Sequence, residues 1–500
     1  MTTAVSPRHA LATALLDRPG WGMLVGGRVG PALDGGTYDD TSPADGRHLA
    51  AVPLGNRKDA DRAVAAAKAA FPAWRATPLA ERAQVLADVI AVLREHAEEL
   101  GVLDAVDSGN PATVMIDEVG MATRWLEWCR GAAHRVVGET LPAAAGQWLL
   151  TRREPYGVVV RITAYNHPLL FAAQKIGAPL ITGNTLVLKV PEQTPLAPLR
   201  IGELLCDVVP PGVLNIVTGD GPVLGDALVR HPDVKRISLI GSVRTGQRIQ
   251  AAAAEEGIKH VSLELGGKNP MIVLPDVDVE TAARAAVRGM NFVTTQGQSC
   301  GSCSRLLLPD ALADAVVARI AELCGEIRVG DPLDPATEMG AMVSRREQQR
   351  VLGMIARARA DGAQLVCGGG VPAGLEHGAF LSPTVFDHVP PDAEIAREEV
   401  FGPVLSVLRY RDVEEAFRIA DAVDLGLTAS VWTNDLSAAL DLAERLDCGY
   451  VWINDAARHF DGAPFSGHRR SGTDSEEGIA ELYSFTQTKT IAVAPLGGRR

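Results

Sequence analysis

The spacing of apolar residues predicts helices in the first part of the chain. The alanine-rich stretch Asp59–Phe71 favours one helix, after residues 21–55, where short apolar pieces alternate with Gly, Asp and Pro. A second helix begins at Thr77-Pro78, because a capping residue followed by proline is typical of a helix N-terminus. Its apolar residues recur at every third or fourth position, which predicts one buried face. These residues are Leu86, Val89, Ile90, Leu93, Ala97 and Leu100.

From Tyr156 onward, apolar runs of strand length alternate with helical stretches. Continuous apolar strands separated by helices indicate a parallel sheet that is covered on both faces. The pattern therefore predicts a doubly wound, nucleotide-binding architecture. The runs of this first series are Gly157–Ile162, Thr185–Val190, Val213–Val217, Arg236–Ile240 and His260–Leu265.

A second α/β series extends from Met271 to about Asn454. The glycines of Leu265-Gly266-Gly267 would permit the tight turn that joins the two series. We therefore expect an α/β fold with two doubly wound α/β lobes. The apolar runs of the second lobe include Met271–Leu274, Arg305–Leu308, Val404–Leu408, Ala429–Trp432 and Tyr450–Ile453.

Length and composition agree with a globular protein of two or more domains. The chain has 500 residues, of which 47% are hydrophobic and 22% are charged. The formal net charge of -13 argues against a nucleic-acid or anionic-membrane partner. Seven scattered cysteines favour a reducing compartment over a disulfide scaffold. The apolar piece Ala10–Leu16 is too short to span a membrane, so we expect a cytoplasmic protein.

Cys300 is the candidate nucleophile. It lies among small residues, Gly297, Ser299, Gly301 and Ser302, which leave a thiol open to a substrate. A cysteine in an intracellular chain remains only a candidate until partners are found. The alternative interpretation is a loop with two incidental cysteines. Because no second pair with ligand spacing follows Cys300-Gly-Ser-Cys303, a zinc site is disfavoured, while reversible oxidation of the pair stays open.

Two glycine patterns follow predicted strands. The first is Gly219-Asp-Gly221-Pro-Val-Leu-Gly225, and the second is Gly241-Ser242-Val-Arg-Thr-Gly246, which opens a helix. The free N–H groups and dipole of that helix N-terminus would hold a pyrophosphate, and the Ser242 hydroxyl could also donate. Each pattern alone could be an ordinary turn. Together, in one parallel sheet, they favour a bound nucleotide.

Lys189 and Glu192 follow the predicted strand Thr185–Val190 at its carboxyl end, where open α/β sheets bind ligands. Both side chains could hydrogen-bond a ribose. A carboxylate beside the 2′-hydroxyl would repel a 2′-phosphate, so the pair favours NAD over NADP. A surface ion pair without function is the alternative.

Seven short motifs occur in order along nearly the whole chain, and together they resemble the aldehyde dehydrogenase superfamily. The resemblance is to its NAD-dependent, non-phosphorylating, hydrolytic branch. The motifs are Tyr165-Asn166-His167-Pro168, Leu188-Lys189-Val190-Pro191-Glu192, Gly241-Ser242, Leu263-Glu264-Leu265-Gly266-Gly267-Lys268, Gly297-Gln298-Ser299-Cys300, Glu399-Val400-Phe401-Gly402-Pro403 and Pro464-Phe465-Ser466-Gly467.

The resemblance implies four catalytic residues. Cys300 would attack an aldehyde to give a thiohemiacetal and then a thioester. The Asn166 amide and the Cys300 backbone N–H would stabilise the oxyanion, and Glu264 would be the general base for hydrolysis. Lys175 matches a lysine near the reacting centre. Branches that pass the acyl group to coenzyme A commonly lack the glutamate, so Glu264 favours release of a carboxylic acid.

The resemblance also implies cofactor and substrate contacts, and no metal. Glu399 would hydrogen-bond the nicotinamide ribose, with Phe401 packed beside it. The expected NAD-binding residues are Lys189, Glu192, Gly225, Gly241, Ser242, Leu265, Glu399 and Phe401. The expected substrate residues are Tyr165, His167, Phe171 and Phe465, which would accept an apolar or aromatic body.

Some positions depart from the family pattern. His167 and Gln174 stand where aromatic residues are frequent, which indicates either a wider, more polar tunnel or, for His167, a neutral filler. The segment around Glu476 reads Asp474-Ser475-Glu476 instead of Gly-Arg-Glu, and Ser466 stands where glycine is common. Arg458 is a weak candidate for binding a substrate carboxylate.

The resemblance further implies a division of the chain and a homo-oligomer, dimeric or tetrameric. Residues 1–137 and 156–264 would form the NAD-binding domain, and 265–479 the catalytic domain. Residues 138–155 and 480–500 would form a small β oligomerisation arm that crosses to a neighbouring subunit. Two other functions stay open: acyl transfer to coenzyme A or phosphate, and a non-catalytic binding relative, although intact Cys300, Glu264 and Asn166 argue against the latter.

Overall fold

The computed structural model describes residues 6–494. Two large sheets and one small sheet organise these residues. The first large sheet has eight strands, and its five central strands run parallel while both edges are antiparallel. In spatial order the strands are Arg28–Gly30, Met23–Val25, Leu214–Val217, Thr185–Lys189, Val158–Ile162, Val234–Ile240, His260–Glu264 and Gly472–Thr473.

The second large sheet has seven strands, of which six run parallel. Apolar strands with helices on both faces confirm the predicted α/β fold with two lobes. In spatial order the strands are Gln364–Cys367, Thr384–Asp387, Val404–Tyr410, Arg305–Pro309, Pro270–Val273, Thr428–Trp432 and Tyr450–Ile453.

The small sheet contains Thr486–Val493, Trp148–Pro155 and Thr140–Leu141, in that order. The two long strands pair over eight residues each, outside both lobes, as expected for the arm. Trp148 and Val493 face solvent on it. Residues 495–500 of the predicted arm and residues 1–5 of the predicted NAD-binding domain lie outside the described residues. Assembly through the arm stays a prediction.

Three further pairs of short strands complete the fold: Thr37–Thr41 with His48–Pro53, Leu425–Gly426 with His468–Arg469, and Phe465–Ser466 with Ser475–Glu476. The α-helices are Pro7–Leu16, Arg57–Ala76, Leu79–Glu95, Ala97–Ser108, Ala112–Ala132, Pro168–Gln174, Gly177–Ile181, Leu196–Leu205, Asp226–Arg230, Val243–Glu255, Val279–Gly289, Phe292–Thr295, Asp310–Glu326, Arg345–Ala360, Glu394–Arg397, Val413–Asp421, Leu436–Arg445 and Ile479–Ser484. A short 3-10 helix at Ala133–Arg135 and a π turn at Gly221–Gly225 add to these.

The helix that begins after Pro78 is shorter than its apolar periodicity predicts. Leu79–Glu95 ends before His96, and Ala97 starts a separate helix that buries Leu100. The His96 ring bonds Glu99 Oε2 at 2.7 Å, inside the first turn of the second helix. Both helices bury their apolar faces in one core, so the periodicity continues across the break.

Within residues 6–494, no helix is both long enough and apolar enough to cross a bilayer. Over the same residues, no three His, Cys, Asp or Glu side chains are grouped closely enough to hold a metal ion.

Candidate active site

A cavity of about 960 Å³ lies at the carboxyl ends of the parallel strands of the first sheet and reaches the second lobe. This is the edge where open α/β sheets bind ligands, and its volume suits a dinucleotide. Most residues predicted for the site line this cavity. They are Tyr165, Asn166, Lys189, Glu192, Gly225, Gly241, Ser242, Glu264, Cys300, Glu399 and Phe401.

Cys300 lies on a loop after the short helix Phe292–Thr295. The chain turns sharply there because Gln296 and Gly297 adopt left-handed conformations, with φ of 54° and 69°. A Cβ on Gly297 would stand 2.5 Å from the carbonyl oxygen of Gly402, so this position requires glycine. The turn brings the half-buried Cys300 to the cavity wall.

The Glu264 carboxyl and the Cys300 thiol lie in the same cavity wall, and each affects the pKa of the other. Burial raises the pKa of Glu264 to about 8, although hydrogen bonding to Cys300 opposes the shift. Burial and the neighbouring Glu264 raise the pKa of Cys300 well above its ordinary value of 9.0. Glu264 ends the strand His260–Glu264, and its buried Oε1 has no hydrogen-bond partner among residues 6–494. The carboxyl and the thiol can therefore each hold or release a proton, and Glu264 Oε1 is free to bond a further group.

Asn166 supplies an uncommitted amide to the same wall. Its backbone carbonyl accepts a hydrogen bond from Asn110 Nδ2 at 3.1 Å, which fixes the residue. Within residues 6–494, neither its buried side-chain amide nor the backbone N–H of Cys300 donates to a protein acceptor. Both groups predicted to stabilise an oxyanion thus remain available.

Glu399 comes from the second lobe and meets the turn at Gly266-Gly267. The backbone N–H of Gly267 donates to Glu399 Oε1 at 3.0 Å. A Cβ on Gly266 would lie 2.0 Å from Glu399 Oε2, so a side chain at this position would displace the Glu399 carboxylate. Burial raises the pKa of Glu399 to about 7, with Gly267 acting against it. The Phe401 ring meets Tyr165 edge-on at 5.7 Å, so Tyr165 lies on this side of the site.

The opposite end of the cavity fits a dinucleotide. Ser242 caps the helix Val243–Glu255, whose N-terminus opens into the cavity. A Cβ added at Gly221 would meet no atom within 4 Å, so a ligand can approach the cavity wall closely at this position. Lys189 Nζ contacts Glu192 Oε2 at 2.8 Å. Burial acts to raise the pKa of Glu192, but the Lys189 ammonium outweighs it and holds this pKa below its ordinary value. This end thus presents N–H donors and a fixed carboxylate.

Five predicted residues lie outside the wall of this cavity. Leu265 is buried and packs against Gly246. A Cβ added at Gly246 would lie 3.0 Å from the Leu265 side chain. Lys175 is buried, with Nζ 2.6 Å from Glu476 Oε2, and Arg161 Nη2 contacts Glu476 Oε1 at the same distance. Lys175 therefore belongs to a buried ion-pair network, and its catalytic role stays a prediction.

The predicted substrate residues His167, Phe171 and Phe465 also lie outside the nucleotide cavity. The rings of His167 and Phe171 meet edge-on at 5.6 Å, and Lys175 Nζ lies 6.0 Å from the Phe171 ring. The His167 ring is bonded to Glu118 Oε1 at 2.5 Å. His167 is thus hydrogen-bonded to a buried carboxylate, and its role in substrate binding stays a prediction.

The sequence did not single out Asn269, which holds the nucleophile's loop. Asn269 Nδ2 donates to the carbonyl oxygens of Cys300 and Ser302, at 2.7 and 2.9 Å. The sequence signal that could have identified Asn269 is its position directly after the motif Leu263-Glu264-Leu265-Gly266-Gly267-Lys268. Cys303 packs in the core, and burial raises its pKa to about 12; its reversible oxidation with Cys300 stays a prediction.

Comparisons with known proteins agree with this geometry. The family model described as Aldehyde dehydrogenase family matches residues 32–491. An aldehyde dehydrogenase of Talaromyces stipitatus, tropH, is 43% identical over 466 residues, which are 91% of this chain and 90% of that protein. A hydroxyisobutyraldehyde dehydrogenase of Mycolicibacterium austroafricanum is 38% identical over 473 residues, 94% of this chain and 93% of that protein. The solved NAD+ complex of an aldehyde dehydrogenase from Bacillus cereus superposes with a TM-score of 0.94 at 36% identity, covering 99% of this chain and 100% of that one.

Proposed function

This chain belongs to the aldehyde dehydrogenase family as an NAD-dependent enzyme, and we propose that it releases its product as a free carboxylic acid. Cys300 carries the acyl group as a thioester, and Glu264 activates the water that cleaves it. The observation that carries the proposal is that Glu264, Cys300 and Asn166 line one cavity, with Oε1 of Glu264 buried and without a hydrogen-bond partner among residues 6–494.

The residues around the cavity fit NAD. Gly241 and Ser242 would hold the pyrophosphate at the helix N-terminus, and Lys189 with Glu192 would hold the adenosine ribose. Glu399 would hold the nicotinamide ribose, which Phe401 packs against. When bound, NAD accepts the hydride that leaves the carbon attached to Cys300.

The first half of the reaction forms the acyl enzyme. The Cys300 thiol gives up its proton to solvent, and its sulfur bonds to the aldehyde carbon. The former carbonyl oxygen becomes an anion that accepts hydrogen bonds from the Asn166 amide and the Cys300 N–H. Loss of hydride from the same carbon then restores the C=O bond and leaves a thioester. The uncharged amide suits this task, because it donates without titrating.

The second half of the reaction hydrolyses the thioester. Deprotonated Glu264 accepts a proton from water, whose oxygen attacks the thioester carbon. The C–S bond then breaks, and the acid leaves while Cys300 recovers its proton. A pKa of about 8 for Glu264 lies near a working pH, so a useful fraction is present as carboxylate.

The aldehyde would approach past Phe171 and Phe465, which support a substrate with an apolar or aromatic body. We propose the division into an NAD-binding domain, a catalytic domain and an oligomerisation arm that the sequence predicts. We also propose a homo-oligomer joined through the sheet formed by Trp148–Pro155 and Thr486–Val493. Transfer of the acyl group to coenzyme A is the second candidate, and Glu264 argues against it.

Product analysis separates these candidates. Wild-type protein with NAD and an aldehyde such as benzaldehyde should form NADH and benzoate without coenzyme A. The Cys300→Ala variant should form no NADH while still binding NAD. NADH formation that requires coenzyme A would contradict hydrolysis, and normal turnover by Cys300→Ala would exclude the thioester.

A further inference from the structure

A second histidine–carboxylate pair lies near Cys300, outside the nucleotide cavity. His459 Nδ1 is bonded to Glu477 Oε2 at 2.7 Å. The charge of Glu477 is among those that raise the pKa of the Cys300 thiol, so it lies within electrostatic reach of the reacting atom. Neither residue lines the wall that NAD would occupy. Because the His459 ring also packs on Phe465, a predicted substrate residue, we place the pair on the aldehyde side of Cys300.

Aromatic rings surround His459 on that side. Its ring centroid lies 4.7 Å from that of Phe465, a predicted substrate residue, and 6.4 Å from that of Tyr450. The His459 side chain is nevertheless 34% exposed, so it remains accessible to a ligand. His459 thus adds a polar edge to an otherwise apolar wall.

The neighbouring backbone fixes both members of the pair. Glu477 adopts a left-handed conformation, with φ of 61°, and its N–H donates to Glu481 Oε2 at 2.8 Å. The His459 loop is fixed by Trp452 Nε1, which donates to the Arg458 carbonyl at 2.7 Å. A Cβ on Gly462 would lie 2.4 Å from Trp128 Nε1, so the loop packs tightly on the helix Ala112–Ala132. The ring is therefore held in one orientation.

The pairing determines which ring nitrogen can bind a substrate. Nδ1 is engaged by Glu477, and Nε2 of His459 has no hydrogen-bond partner among residues 6–494. Burial works to lower the pKa of His459, but the Glu477 charge and hydrogen bond outweigh it and raise the pKa. The Glu477 carboxylate favours the protonated ring, in which Nδ1 donates to Glu477 and Nε2 also carries a hydrogen and donates. Because Glu477 neutralises the ring's charge, the pair suits a neutral oxygen acceptor better than a carboxylate.

We propose that His459, oriented by Glu477, is a specificity-determining residue that donates a hydrogen bond from Nε2 to a hydroxyl or carbonyl oxygen on the body of the aldehyde. The inference rests on the proposed function and narrows the substrate from apolar or aromatic aldehydes to those that also bear oxygen. A site built to bind a hydroxyl discriminates strongly against an analogue that lacks it, because its buried polar groups are left unpaired.

The test compares benzaldehyde with its 2-, 3- and 4-hydroxy isomers, with NADH formation as the readout. Wild-type protein should prefer at least one hydroxy isomer over benzaldehyde by about tenfold or more in kcat/KM. His459→Phe should reduce this ratio to about twofold or less, and His459→Gln, which keeps a donor, should restore part of it. Glu477→Gln should lower the ratio to an intermediate value.

Two controls isolate the effect. His9→Phe removes a partly exposed histidine whose Nε2 lies 2.8 Å from Asp331 Oδ2, and should keep the wild-type ratio. His167→Phe removes the ring that is bonded to Glu118 and should keep more of the preference than His459→Phe. Thermal unfolding establishes that each variant is folded. If His459→Phe does not fold, the test rests on the preference for hydroxy isomers in His459→Gln and Glu477→Gln, which should fall below that of the wild type in both.

Three results would overturn the proposal: no preference for any hydroxy isomer in the wild type, a preference that survives His459→Phe, or its loss in His167→Phe alone. Each of these presupposes NADH formation from some aldehyde. Absence of NADH with every aldehyde would instead contradict the proposed function itself.

Discussion

Asn269 Nδ2 donates a 2.7 Å hydrogen bond to the carbonyl oxygen of Cys300. The same amide donates to Ser302, and its Oδ1 accepts from the backbone N–H of Thr428 at 3.1 Å. Asn269 immediately precedes the strand Pro270–Val273, which pairs with Thr428–Trp432. One buried side chain therefore ties the nucleophile's loop to two central strands of the second lobe.

Replacing Asn269 should misplace Cys300. Asn269→Ala leaves the Cys300 carbonyl and the Thr428 N–H without the partner that Asn269 supplies, at a cost of about 1–3 kcal/mol for each unsatisfied group, whereas the Ser302 carbonyl still accepts from the Ser304 N–H. We expect a lower kcat and a lower melting temperature, with NAD binding retained. Stopped-flow NADH formation, calorimetry and NAD titration measure these effects. An unchanged rate of acyl-enzyme formation would show that the loop is positioned by other contacts.

Gly266→Ala should weaken NAD binding. The added Cβ would lie 2.0 Å from Glu399 Oε2, so the carboxylate predicted to hold the nicotinamide ribose must move. We expect Kd for NAD to rise about tenfold, equivalent to about 1.4 kcal/mol, by calorimetric titration. Gly325→Ala is the matched control, because its Cβ meets nothing within 4 Å. Equal affinities for the two variants would contradict the role of Glu399.

Glu192 should determine the preference for NAD. Its lowered pKa keeps it anionic at neutral pH, where it would repel a 2′-phosphate. Glu192→Gln should raise kcat/KM for NADP relative to NAD by about tenfold, because like-charge repulsion of about 1.4 kcal/mol is removed. The exposed Glu98→Gln is the charge-matched control. If the wild type already uses NADP as well as NAD, the assignment is wrong.

Lys175 should contribute to stability as well as to any catalytic role. Burial works to raise the pKa of Glu476, but Lys175 and Arg161 lower it to about 2. This stabilisation is complete above the ordinary pKa of 4.5 and is lost as pH falls toward 2. Lys175→Met leaves the buried Glu476 carboxylate with Arg161 as its counter-charge and Ser238 as a further donor, so the free energy of unfolding should fall by about 3 kcal/mol.

Urea unfolding of the Lys175→Met variant between pH 7 and pH 3 measures that loss. Its acid unfolding should begin at a higher pH than that of the wild type, because the Glu476 carboxylate has lost a counter-charge. A double variant with Glu476→Gln should recover part of the stability. Identical unfolding curves for the wild type and Lys175→Met would refute this account.

Much of the fold was predictable because its signals are local and repeated. Apolar runs such as Thr185–Val190 and Arg236–Ile240 correspond to central strands, and Gly241-Ser242 to the N-terminus of a long helix. A short strand offers no such signal. Gly472–Thr473 joins the first sheet from within the range predicted as the catalytic domain, because its pairing with His260–Glu264 depends on the whole fold.

The site was predictable where a residue type is tied to a chemical role. Cys300, Glu264 and Asn166 lie in one wall, as their motifs indicated. Side-chain pairs between distant segments were not predictable, because the sequence does not reveal which charges meet. The bond between His167 and Glu118 spans 49 positions and appears only once the fold is known.

The accumulation of acyl enzyme in Glu264→Gln tests the central claim most directly. With saturating NAD and benzaldehyde, we expect one NADH per active site in a rapid burst, followed by turnover slowed about a hundredfold or more. Mass spectrometry of the quenched protein should find the benzoyl group on Cys300. In the wild type, thioester hydrolysis should accelerate as pH rises through about 8. Unchanged turnover and no acyl group on Cys300 in the variant would contradict hydrolysis by Glu264.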